Sequence, residues 1–224
     1  MLSAGLRYVE SIPKLDAIES LFYTASGRLK GPGFGHWRSC GRQPVMGLIR
    51  DQMTMELKDF IRDIPDFPEP GILFRDITPL LREPKAFGYV IDKLASQYRD
   101  QSLDCIVTVE SRGFLFGAPL AHVLGMPIVP ARKPGKLPAP TYVTKYSLEY
   151  GANTMEIHVD GIANGERVLV LDDLLATGGT LAATARLVEM SGGVVAGIGV
   201  VIELTDLDGR GQLKGYDVYS MVKY

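Results

Sequence analysis

Apolar and polar positions alternate along this chain with two distinct periods. Leu57, Phe60, Ile61 and Ile64 recur at helical spacing, and Phe87, Ile91, Leu94, Ala95 and Tyr98 form a second apolar stripe behind Pro84, a residue suited to a first helical turn. Both stretches predict amphipathic helices. Continuous apolar runs at Cys105–Val109, Pro127–Ala131, Val168–Leu171 and Val194–Ile202 predict buried strands, with helices expected over Phe116–Leu124 and Leu181–Met190. Short unbroken runs separated by helices imply an α/β fold. Its parallel sheet would be covered on both faces, with ligands at the carboxyl ends of the strands. Met155, Ile157 and Val159 alternate instead with Glu156 and His158, the pattern of a half-exposed strand in a flap. No internal repeat is present.

The pattern starts near Met55. Between Ser20 and Arg50 there is no acidic residue, and Gly27, Gly31, Pro32, Gly33, Gly35, Gly41, Pro44 and Gly47 break any periodicity. Residues 1–54 therefore read as a weakly ordered extension, or as sequence upstream of a true start at Met53 or Met55, with 55–224 as the domain. Glu10, Asp16 and Glu19 argue against an organelle targeting segment, and the start does not have the form of a secretory signal. Gly31 and Gly33 suggest a dinucleotide-binding loop only superficially, because His36 stands where a third glycine belongs and no strand precedes them.

Composition narrows the classes further. The 224 residues are 46% hydrophobic and 22% charged, with 24 Lys and Arg against 26 Asp and Glu. That balance, a formal charge of −2, argues against a general nucleic-acid binder, so any phosphate chemistry is local. Cys40 and Cys105 form no disulfide framework and no Cys/His group has zinc-ligand spacing, which points to a reducing, cytoplasmic setting without structural metal. The longest apolar stretch, Gly192–Ile202, is about half of the ~20 residues that a membrane span needs. His36, His122 and His158 stand apart from the patches described next and read as structural or solvated.

The segment Arg167–Thr180, RVLVLDDLLATGGT, reads as a buried strand ending in two carboxylates, then a glycine-containing loop, then a helix. Unsatisfied N–H groups at the helix start, the close approach allowed by Gly178 and Gly179, and the hydroxyls of Thr177 and Thr180 suit a monophosphate. Asp172 and Asp173 can accept hydrogen bonds from a ribose diol or orient hydrated magnesium. An ordinary strand, turn and capped helix leaves two adjacent acids unexplained. The lysine of a triphosphate loop is missing. This segment resembles the phosphoribosyl pyrophosphate (PRPP) motif of type I phosphoribosyltransferases, and its LLATGGT wording is closest to the adenine phosphoribosyltransferases.

Three further patches carry the same resemblance, which spans about Met55 to Tyr224. FPEPGILFRDITP, residues 67–79, reads by itself as a proline-rich loop with a buried Phe, but is similar to the family's purine-binding loop. The resemblance implies that Phe74 stacks on adenine, that main-chain groups around Leu73 and Arg75 meet its Watson–Crick edge, and that Leu204 covers the opposite face. VESRGFLFG, residues 109–117, is a strand-to-helix turn that resembles the pyrophosphate loop through Ser111 and Arg112. The basic knot of Arg132, Lys133 and Lys136 would ordinarily be solvated surface. Matched to the family, it surrounds the pyrophosphate, and one of its cations reaches the neighbouring subunit of a homodimer. YSLEYG, residues 146–151, resembles the catalytic flap, with Glu149 on the acid that handles the proton at purine N7.

The resemblance thus implies a type I phosphoribosyltransferase-like α/β fold, a parallel sheet flanked by helices with a small hood and a flexible flap. It implies transfer of the phosphoribosyl group from PRPP to adenine, giving AMP and pyrophosphate, in a magnesium-dependent homodimer. Asp172, Asp173, Ala176, Thr177, Gly178, Gly179 and Thr180 would hold the ribose and 5′-phosphate, with magnesium bound through PRPP and the acid pair. An oxopurine transferase is the nearer alternative. A PRPP-sensing transcriptional regulator is the other, and it would need a DNA-reading unit for which the sequence offers no helix-turn-helix pair.

Overall fold

The computed structural model describes residues 55–148 and 151–224, so the reading of residues 1–54 as an extension, and Glu149 itself, lie outside the described residues. The domain is centred on a five-stranded parallel sheet. In chain order its strands are β3 (Cys105–Val109), β4 (Ile128–Ala131), β7 (Arg167–Leu175), β8 (Val194–Glu203) and β9 (Val218–Lys223). They lie in the order β4-β3-β7-β8-β9. Ile106 pairs with Ile128 on one side and Leu169 on the other, and Val170 pairs with Ile198.

Strand alternation divides the core in two. Ile106, Leu169 and Leu171 pack with α2 (Pro84–Tyr98) and α3 (Gly113–Leu124) through Val90, Leu94, Phe116 and Leu120. Cys105, Val107, Val168 and Val170 pack on the other face with Leu181, Leu187 and Val188 of α4 (Gly179–Met190), and with Met155 and Ile157. Both faces are therefore apolar and covered, which is why these strands read as unbroken hydrophobic runs. Met155 and Ile157 belong to an antiparallel hairpin, β5 (Thr141–Leu148) and β6 (Gly151–His158), whose register runs from Thr141 opposite His158 to Leu148 opposite Gly151. This hairpin occupies the place of the expected flap, but its β6 strand is not half-exposed as the alternation predicts: Glu156 is buried along with Met155 and Ile157, and Val159 lies past the strand end and is exposed.

A second, two-stranded sheet pairs β1 (Arg62–Pro65) with β2 (Leu73–Asp76), followed by the short helix α1 (Thr78–Arg82). Here the periodicity misleads. Leu57, Phe60, Ile61 and Ile64 predict one helix, but the chain makes a single 3₁₀ turn over Leu57–Phe60 and then enters β1. Pro65 disfavours a helical residue before it, and too few residues remain to offset helix nucleation. The strand pairing, with Arg62 bonded through Nη2 to Asp76 at 2.6 Å, supplies the alternative. Burial alone satisfies the hydrophobic count, since Leu57 and Ile61 still enter the core.

β3 and β4 lie on one side of the junction between β3 and β7, while β8 and β9 extend on the other. That junction is a topological switch point, where strand ends splay and leave a crevice at their carboxyl edge. Among the described residues, no helix is long and apolar enough to cross a membrane.

Beyond β8, Glu203 fixes the turn that follows. Its side chain is 5% exposed and takes bonds from Arg210 Nε at 2.6 Å and Nη2 at 2.9 Å. The Arg210 hydrogen bonds, helped by Ser220 and outweighing burial, hold this carboxyl at about 2. A carboxylate depressed in the folded state stabilises fully above its unfolded value, and that contribution disappears as pH falls from about 4.5 toward about 2. Arg210 is 42% exposed, so its removal should cost less than breaking a fully buried pair. Arg210→Ala is expected to lose about 2 kcal/mol at pH 7, with the difference from wild type shrinking below pH 4.5, as measured by urea unfolding across pH.

Candidate active site

The carboxyl ends of β3 and β7 and the first turns of α3 and α4 enclose a cleft of about 290 Å³. Val109–Arg112 form one wall and Asp172–Leu181 the other. The acid pair, the threonine–glycine loop, Ser111 and Arg112 are thereby brought together from positions 60 or more residues apart, as the sequence reading required. In one detail the strand differs from expectation. β7 does not end at the carboxylates but continues through them to Leu175, so both acids lie within the strand and Asp172 pairs with Val200 of β8.

The loop between β7 and α4 owes its shape to close backbone packing. Gly178 caps α4 in the left-handed region at φ +84°. A Cβ there would fall inside the van der Waals shell of the Gly209 carbonyl oxygen, and a Cβ on Gly209 would meet the Ala176 carbonyl. Only glycine meets both the sign of φ and the lack of space. The Gly178 carbonyl accepts the Ala182 N–H at 2.9 Å, so the helix begins there. Thr177 is exposed beside it, and the start of a helix carries the positive end of its dipole, which suits an anion. α3 begins at the same cleft with Arg112 as its cap, which adds a second positive helix end.

Against this positive rim stand two buried acids. Asp172 accepts the Asp173 N–H at 2.8 Å, and Asp173 is paired with Arg112 Nε at 2.9 Å. Burial raises the Asp172 carboxyl well above the usual range, with the Asp173 charge adding to the rise. Burial also raises Asp173, against the opposing pull of Arg112. These groups are held in a place that disfavours their charge. They would accept hydrogen bonds from hydroxyls or ligate a cation more readily than they would remain bare.

The expected purine loop borders this cleft through Arg112. The guanidinium carbon of Arg112 lies 5.4 Å from the Phe74 ring centroid, and Phe74 meets Phe67 edge-on at 5.1 Å. Leu73 is exposed, whereas the Arg75 side chain is spent on Asp63 and on the Tyr224 ring at 3.8 Å. The role expected of this residue's main chain toward the purine edge is a proposal. Leu204 follows β8 and donates its N–H to the Leu175 carbonyl at 2.9 Å, which ties it to the end of β7.

The basic knot is not part of the cleft wall. It is connected to that wall by Glu110, which was not singled out in the sequence. Glu110 accepts from Arg132 Nη2 at 3.0 Å, Lys136 Nζ at 2.8 Å and the Lys133 N–H at 3.1 Å. The bond from Arg132 leads the causes that hold its carboxyl at about 2. An acid directly after an apolar strand and before an anion-binding turn was the available signal. Among the histidines, His122 is exposed and His158 accepts the Ala139 N–H at 3.4 Å.

No three of the described His, Cys, Asp and Glu side chains form a group that could hold a metal. Asp172 and Asp173 provide two carboxylates, which fits magnesium only as an ion shared with a substrate's oxygens and water.

A phosphate-type cradle and an acid pair at the switch point of a parallel sheet define a phosphoribosyltransferase, and the Phosphoribosyl transferase domain model matches residues 81–222. The adenine phosphoribosyltransferase of Roseiflexus sp. strain RS-1 is 56% identical over 172 residues, covering 77% of this chain and all of that one. The crystal structure of adenine phosphoribosyltransferase from Thermoanaerobacter pseudethanolicus superposes with a TM-score of 0.74 at 55% identity, covering 75% of this chain and 98% of that chain. The Saccharomyces cerevisiae enzyme, complexed with an imino-altritol bisphosphate and adenine, matches at 40% identity and a TM-score of 0.70, covering 74% of this chain and 96% of that one. The chain belongs to the adenine phosphoribosyltransferase family.

Two substitutions test the cleft. Gly178→Ala is expected to destabilise the fold by about 2 kcal/mol and to weaken PRPP binding at least tenfold, read by thermal unfolding and titration calorimetry. Asp172→Asn removes a carboxyl whose pKa is raised on folding. Such a group costs stability increasingly as pH rises from its unfolded value through its folded one. The variant should therefore be more stable than wild type at pH 7, by on the order of 1 kcal/mol, and less so at pH 4, while its PRPP affinity falls.

Proposed function

We propose that this chain transfers the phosphoribosyl group of PRPP to adenine, releasing pyrophosphate and AMP, and that the groups around the cleft divide the work as follows. The backbone and hydroxyls of Ala176–Thr180 hold the 5′-phosphate at the α4 N-terminus, and Asp172 and Asp173 accept the ribose hydroxyls. The observation that carries this reading is the juxtaposition of two buried acids with a helix-end anion cradle in one cleft. A sugar phosphate supplies hydroxyls to the first and charge to the second.

Ser111 and Arg112 face the departing pyrophosphate, with Arg132, Lys133 and Lys136 behind them. As the bond from C1′ to the pyrophosphate loosens, negative charge gathers on the leaving oxygens, and fixed cations and a helix end lower the barrier most where that charge develops. Magnesium, shared between PRPP and the acid pair, would add charge neutralisation. Phe74 and Leu204 sandwich adenine while the main chain near Leu73 and Arg75 reads its polar edge, so that N9 is aligned on C1′. An oxopurine would leave those buried polar groups unpaired, which is the costly kind of mismatch.

Glu149 accepts the purine proton as N9 attacks and returns it in the reverse direction. The β5–β6 hairpin pairs up to Leu148 and Gly151, and Glu149 is the next residue after Leu148 in the sequence. A homodimer in the cytoplasm completes the reading. The family relatives support the reaction, and the buried free thiol of Cys105, raised to about 12 by burial, is compatible with a reducing compartment.

AMP formation from adenine and PRPP, with and without magnesium and with hypoxanthine and guanine as competitors, tests the assignment. Magnesium-dependent AMP synthesis that adenine alone supports is the expected result; a preference for an oxopurine would transfer the chain to the other substrate class. Glu149→Gln is expected to lower turnover by roughly 10²-fold or more while PRPP still binds. Unchanged turnover would remove Glu149 from the chemistry.

A further inference from the structure

The basic segment that follows β4 is held between two carboxylates that the reaction scheme does not use. From the cleft side comes Glu110, whose side chain is 10% exposed and binds Arg132, the Lys133 main chain and Lys136. From the flap side comes Glu156 of β6. It is buried and accepts the N–H groups of Lys136 and Leu137, each at 3.2 Å, and the Thr141 hydroxyl at 3.4 Å. Its main chain also forms an antiparallel bridge with Arg132, through N–H to carbonyl bonds of 2.9 and 2.8 Å. A glycine- and proline-containing loop with three cations would otherwise wander, since Lys and Arg carry large rotamer freedom and repel one another. Two acids acting on the same short stretch, one from each neighbouring element, remove that freedom.

We propose that Glu110, backed by Glu156, is a positioning residue for the leaving-group site: it orients the Arg132 and Lys136 side chains toward pyrophosphate and anchors the Lys133 main chain, while Glu156 ties their loop to the base of the flap. The proposal rests on the assignment of those cations to pyrophosphate. Glu110 also lines the cleft. It therefore connects the wall carrying Ser111 and Arg112 with a loop that the cleft does not include. Its charge lowers the site's net positive potential, so its value lies in geometry and not in attraction. Lost orientation would weaken the pyrophosphate contacts without touching the cradle for the 5′-phosphate or the purine pocket.

The reverse reaction separates these effects, because AMP and pyrophosphate bind as two molecules. In Glu110→Gln, which keeps the shape and loses the charge, the KM for pyrophosphate should rise about tenfold while the KM for AMP stays within twofold. Glu110→Asp should lie between Gln and wild type. Glu156→Gln, measured in parallel, should shift the pyrophosphate constant in the same direction, and thermal unfolding shows whether each variant is folded. If Glu110→Gln does not fold, Glu110→Asp and Glu156→Gln carry the test. An unchanged or tighter pyrophosphate constant in folded variants of an active enzyme overturns the positioning role and leaves the reaction standing. Equal rises for AMP and pyrophosphate also overturn it, since they indicate general damage. Wild-type protein that interconverts neither pair of substrates overturns the reaction and the positioning role together.

Discussion

Two carboxylates side by side in a strand end with little access to water form an arrangement that folding alone disfavours. Asp172 and Asp173 are almost wholly covered, and burial raises both. Apolar residues of similar size would pack there at lower cost. The surrounding elements compensate in part: Arg112 pairs with Asp173, and the α3 and α4 N-termini bring positive ends to the same cleft. What remains uncompensated is available to a ligand with hydroxyls and a bound cation. The cleft is then a place where stability has been exchanged for binding, the usual relation between a strained polar site and its function.

The sheet topology explains why these groups can meet at all. β3 ends at Val109, immediately before Glu110–Arg112, β7 ends past the acid pair, and the two strands are neighbours at the switch point. A parallel sheet directs its carboxyl ends to one edge, so loops distant in sequence become the walls of a single crevice. The same geometry gives each loop a helix to start, and a helix start is suited to an anion. Phosphate chemistry in a chain of net negative charge follows from this local placement.

Much of this was legible in the sequence, for reasons that vary by element. β3, β7 and β8 are covered on both faces over most of their length, and runs dominated by apolar residues announce them. α2 was marked by Pro84 and its stripe, and the acid pair and glycines stood in one contiguous segment. β9 was missed because Val218–Lys223 is a short edge strand with a mixed pattern, half-buried along most of its length. The 3₁₀ turn and β1 were misread as a helix because the spacing of Leu57 to Ile64 reports which residues are buried, not which pairing buries them. Glu110 and Glu156 escaped because a carboxylate's function as a clamp depends on partners 15 to 26 residues away. The place of Glu110 after an apolar strand marks it as an acid beside the turn, but not which cations it holds.

The central claim is that the helix-end cradle and the acid pair grip opposite ends of one sugar phosphate. A crystal structure of the protein with ribose 5-phosphate tests it most directly. The account predicts the phosphate within hydrogen-bond distance of the Thr177–Thr180 main chain and the ring hydroxyls on Asp172 and Asp173. A phosphate seated instead at Ser111 and Arg112, or ring hydroxyls turned away from the acids, would contradict it.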